Sequence, residues 1–98
     1  MDKPISATTG FCIYVTTICD GPIPVEHDER GYPVVYPTEE EAQRVIAESM
    51  IERISQFLDR MREFDGAITV EEYIVPVDVL PDGSILDETG GHFGKKDF

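Results

Sequence analysis

The chain has 98 residues, 41% hydrophobic and 29% charged, with 20 Asp and Glu against 8 Lys and Arg and a net charge of -12. That length fits one domain, and the composition is that of a globular chain. No apolar run approaches the roughly 18–20 residues of a membrane helix, and the scarcity of clustered Lys and Arg argues against binding nucleic acid phosphates or an anionic membrane surface.

Residues 1–10 are small and polar, as in a flexible N-terminus, and lack the charged-then-apolar pattern of a secretory signal. Residues 11–19 (FCIYVTTIC) are β-branched and aromatic and are bounded by Gly10 and by Asp20-Gly21. They predict a strand that is apolar on both faces, hence central and covered on both sides. Cys12 and Cys19 on such a strand stand about 23 Å apart at roughly 3.3 Å per residue, beyond the about 7 Å that a disulfide spans. Both read as reduced thiols, which suits a cytoplasmic location.

Residues 20–31 read as connection, with a short edge strand over 23–26. Residues 32–36 (YPVVY) predict a short strand limited by Pro33 and Pro37, in a hairpin closing over 27–31. Thr38 and Glu41 then match a capping box, with Glu39, Glu40 and Glu41 where a helix dipole favours negative charge. Ala42, Ile46, Met50, Ile54, Phe57, Leu58, Met61 and Phe64 fall on one half of the helix that follows, and Val45 sits with the polar half. Core packing is the default for this stripe. The spacing predicts one helix over 38–65, ended by Asp65-Gly66. It would be about 40 Å long, longer than the roughly 26 Å diameter of a compact domain, so part of its stripe should overhang the sheet.

Residues 73–80 predict a second strong strand, at an edge or bulged at Pro76. Pro81-Asp82-Gly83-Ser84 is a turn signal, and 84–87 return as a hairpin partner. The Gly-rich residues 89–98 read as a flexible tail. The fold class is therefore α+β: a small, largely antiparallel sheet, in the order β-β-α-β-β, packed on one long amphipathic helix. A single domain is expected over 11–88.

Little in the chain spells out chemistry. His27-Asp28-Glu29 is the one cluster of an imidazole with carboxylates, but the only other histidine is His92 and no H-x-x-x-H or C-x-x-C spacing exists. A solvated loop is the better reading. Asp82-Gly83 lacks the rest of a calcium loop. Glu71-Glu72 with Asp78 would need a pocket to act as paired carboxylates. Ser84 and His92 belong to no nucleophile motif. No catalytic residue, metal or cofactor is expected.

Charge points to a partner instead. Residues 11–37 and 65–88 hold eleven acids and one base, Arg30. The expectation is a small, acidic, non-catalytic interaction domain that binds a basic protein, itself of nucleic-acid-binding type. Its surface would comprise Asp20, Glu26, Asp28, Glu29, Glu71, Glu72, Asp82, Asp87 and Glu88, or an uncovered sheet face. One helix covers one face of a sheet, so a homodimer through the second face is also expected. The alternatives are a small enzyme using His27 with nearby carboxylates, and a purely structural homo-oligomer.

Overall fold

The computed structural model describes residues 8–95. Alternating apolar and β-branched residues build β1 (Thr8–Thr17), which turns through Asp20 into β2 (Gly21–Pro24). Helix α1 (Glu39–Leu58) and the short α2 (Phe64–Ile68) follow, then β3 (Tyr73–Val79), β4 (Ile85–Asp87) and β5 (His92–Phe93). The strands form one antiparallel sheet in the order β2-β1-β3-β4-β5. This is the expected α+β layout, with β1 in the interior as its two apolar faces required.

The register assigns those faces. Cys12 lies opposite Val75, Gly10 opposite Val77, and Ile85 opposite both Val79 and Phe93, so all share one face. There Cys12, Tyr14, Val77 and Ile85 form a buried cluster, joined by Val35 and Phe93. Burial, and then the nearby Glu26 charge, pushes the Cys12 thiol up to about 12, so it stays neutral. Residues 32–36 close over this face at Gly10, where a Cβ would collide with Val35 and stand 3.1 Å from the Tyr36 carbonyl oxygen. Val35 and Phe93, from the chain's own segments, thus pack on this second face.

Five expectations change. Residues 32–36 form no strand: Tyr36 bridges Phe11 and Pro33 bridges His27, each in isolation. Pro33 and Pro37 leave no run of donors for a ladder. The hairpin around 27–31 does close, with Asp28 N–H on the Tyr32 carbonyl at 2.8 Å and Val34 N–H on Glu26 at 3.1 Å.

Pro76 is on the interior strand β3. Phe11, its partner in register, directs both backbone groups to Tyr36, so the pair is a non-hydrogen-bonded one. The missing N–H of Pro76 therefore faces away from β1, just beyond Asp87 where β4 ends. An interior strand is locally an edge there.

The sheet also reaches past both ends of the expected 11–88 unit. Thr8–Gly10 belong to β1, and His92–Phe93 in the expected flexible tail pair with β4. Phe93 packs edge-on against Tyr14 at 5.8 Å between ring centroids, which anchors this short strand.

Finally, the helix is not continuous to residue 65. Thr38 caps α1 as expected, its hydroxyl accepting from Glu41 N–H at 3.2 Å. Arg60 then takes a left-handed φ of 61°. Its N–H donates to Phe57 at 2.9 Å and that of Met61 to Gln56 at 2.8 Å, the bond pattern of a Schellman ending. Glycine usually occupies this position, so no residue signals the break. The chain folds back, Phe64 meets Phe57 at 5.3 Å, and Gly66 lies inside α2.

The helix is also turned from its expected orientation. Ala42 is fully buried, and Val45, Ile46 and Ser49 line a small hollow with Ile13 and Val25. Arg53 faces the same way and pairs with Glu72, just before β3, Nη1 to Oε1 at 3.2 Å. That pair, with the small Ala42 and Ser49 letting the backbones approach, sets the sheet-facing side. Ile54, Leu58, Met61 and Phe64, expected in the core, are exposed, whereas Val45 is half-buried. The end of α1 and α2 form an arm. The molecule measures 50 × 29 × 25 Å, with a radius of gyration of 15.2 Å. That exceeds the roughly 13 Å of a compact 100-residue domain.

Candidate partner-binding surface

The acids singled out above do not form one surface. Asp20, following β1, and Glu71 and Glu72, preceding β3, lie at one end of the sheet, and Asp82, in the β3–β4 turn, lies at the other. Many of them act internally. Glu26 accepts from the Tyr36 hydroxyl at 2.8 Å. Burial, and then this bond, pushes that phenol up to about 12. Asp28 accepts the Arg30 and Tyr32 N–H groups at 2.9 and 3.1 Å, tying its own turn. Glu72 holds Arg53. Asp20, Glu29, Glu71 and Glu88 remain exposed.

Asp87 is the most enclosed of the group, 9% exposed. Tyr14 Oη donates to its Oδ2 at 3.0 Å. Its Oδ1 takes the Thr89 N–H and hydroxyl at 3.0 and 2.7 Å and the Gly91 N–H at 2.8 Å. Burial pushes this carboxyl upward, but the donors outweigh it, and the net shift is downward. The Tyr14 phenol shifts upward, through burial first and then through its bond to Asp87. Asp87 therefore orders the β4–β5 turn and cannot serve as a docking charge.

The fold does bring a histidine, His92, to a serine and an aspartate that are neighbours in the β3–β4 turn. His92 Nε2 lies 3.0 Å from Ser84 Oγ, and Ser84 donates its hydroxyl and its N–H to Asp82 Oδ1. These bonds, chiefly the hydroxyl, shift the Asp82 carboxyl downward. The order is His–Ser–Asp, with the serine proton held by the aspartate. An active nucleophile needs the opposite, a base that accepts the serine proton and is itself oriented by the acid. Ser84 is also 1% exposed, out of reach of a substrate. The cluster fastens β5 to the β3–β4 turn.

His27 and His92 share a hollow of about 310 Å³ with Asp20, Ile23 and Phe93, between the two edge strands. Among the described residues no group of three or more His, Cys, Asp or Glu side chains is placed to hold a metal. Among the same residues no helix is long and apolar enough to cross a membrane.

The feature that sequence analysis undervalued is the arm. Ile51, Leu58 and Met61 are 67%, 72% and 78% exposed. Phe64 and Ile68 in α2 and Val70 just after it are exposed as well. The signal was present as an apolar stripe too long for its sheet, and what could not be read was which part of it overhangs. Compared with known proteins, the chain matches no family model, no curated protein and no solved structure at a significant level.

Proposed function

We propose that this chain is a non-catalytic protein-interaction domain that docks its partner on the α1–α2 arm. The observation supporting this is the run of exposed apolar side chains from Ile51 to Val70. A monomer rarely leaves so many large apolar side chains of one segment in water unless something binds them. The curled sheet acts as the scaffold that holds the arm out. The acidic loops are a weaker candidate, because Glu26, Asp28, Glu72, Asp82 and Asp87 are engaged internally. A reducing cytoplasm suits Cys12 and Cys19, both unbridged thiols.

Capture from host lysate tests this with three baits: the native chain, Leu58→Lys, and a variant with Asp20, Glu29, Glu71 and Glu88 changed to Asn or Gln. The expected partner is retained at high salt, is lost with Leu58→Lys, and persists with the neutralised loops. Loss with the neutralised loops but not with Leu58→Lys would reject the arm.

A second reading rests on the hollow shared by His27, His92 and Asp20: a small hydrolase or isomerase with His27 as general base. It requires that His27→Ala abolish a turnover that Leu58→Lys leaves intact.

A further inference from the structure

The arm's apolar surface on α1 is bordered by a row of acids on one side and by a mostly uncharged row on the other, and this gives its partner a chemistry. At about 100° per residue, Ala47, Ile51, Ile54 and Leu58 fall within roughly 60° of arc. All are exposed. Their spacing of four, three and four residues is that of a seam that packs against another helix. Glu41, Glu48, Glu52 and the C-cap Asp59 fall within a second arc centred about 110° further round, and they too are exposed. Arg44 lies between the two, beyond the first residue of the seam. It is at helical spacing from Glu40, Glu41 and Glu48, which offset it. The other border of the seam carries Gln43, Met50 and Phe57, with one acid, Glu39, a turn before Gln43 at the start of the helix. The remaining arc, from Ala42 through Arg53, faces the sheet.

From this asymmetry we infer that the seam receives an amphipathic helix of a partner protein whose apolar stripe is bordered by Lys or Arg on one side. The inference rests on the arm being the docking surface and adds the class of partner. Charge decides between this occupant and a second copy. Two copies pairing antiparallel about a two-fold axis bring like borders together, acidic row against acidic row. Each chain also carries a net charge of -12. A basic helix meets the acidic row with opposite charge while its apolar residues fill the seam.

The test uses the full chain and two designed helical peptides of about three heptads with the same leucine seam. One carries Lys along one border and the other carries Glu there, and binding is followed by fluorescence anisotropy. The Lys peptide is expected to bind at least about tenfold more tightly, with the difference shrinking at high salt. Leu58→Ser should weaken binding of both peptides. The double change Glu48→Lys with Glu52→Lys lies on exposed helix surface and should invert the preference. Equal binding of the two peptides, or a preference untouched by the double change, overturns the inference. If equal binding is still lost with Leu58→Ser, the arm reading survives and only the partner's charge is wrong. Light scattering that shows a dimer disrupted by Leu58→Ser assigns the seam to a second copy and overturns the inference as well. If neither peptide binds and Leu58→Lys leaves lysate capture unchanged, both readings fail together.

Discussion

Asp87 in the curled sheet and Leu58 on the helical arm each lie on the side of the surface that their chemistry disfavours. The carboxylate is buried and the leucine is 72% exposed. In the sheet, the tight β4–β5 turn and Tyr14 supply donors within reach, so a charge can leave water without being orphaned. On the arm, the helix runs past the sheet that could cover it, and among the described residues no apolar surface buries Leu58. Burial follows what surrounds a side chain after folding, and hydrophobicity sets only its tendency.

The sharpest challenge to this contrast is Asp87→Ala. It strips Tyr14, Thr89 and Gly91 of their acceptor, and it should lower stability by about 3 kcal/mol in urea denaturation. A loss below about 1 kcal/mol would mean that the buried carboxylate contributes no more than an ordinary surface contact.

Gly10→Val tests how closely residues 32–36 are packed on the sheet, since a side chain there meets Val35. The overpacking should cost about 2 kcal/mol, read from the thermal midpoint.

Arg60→Gly probes the join between the two regions. Relieving the left-handed Arg60 should stabilise the chain by about 1 kcal/mol. It should leave the far-ultraviolet circular dichroism unchanged. Leu58→Ser should alter stability by less than about 0.5 kcal/mol. A larger loss would show that the arm is packed in solution.

The pH dependence sharpens the same comparison. The Asp87 carboxyl is depressed below its ordinary 3.8. Its stabilisation is therefore fully present above that value and disappears as pH falls through the lower folded one. The Tyr14 phenol is raised above its ordinary 10.0, so stability falls as pH climbs past that value. Acid unfolding midpoints of the native chain and of Asp87→Asn should differ, and those of the native chain and Leu58→Ser should coincide.

By itself the sequence determined the local elements: the β-branched run of β1, the Thr38 cap, the Pro81–Ser84 turn, and an apolar helix stripe longer than a domain of this size can cover. Each follows from propensity, capping or periodicity, which act over a few residues. Three features waited for the tertiary structure. Arg60 breaks the helix in a conformation that its residue type does not announce. Arg53 and Glu72 set which side of α1 faces the sheet, across a separation in sequence that no periodicity reports. His92 meets Ser84, and Tyr14 meets Asp87, because strand pairing brings them together. The acidic composition was legible from the start. Which acids would be consumed inside the fold, and which apolar residues would be left outside it, depended on where the strands paired and where the helix ran out of sheet.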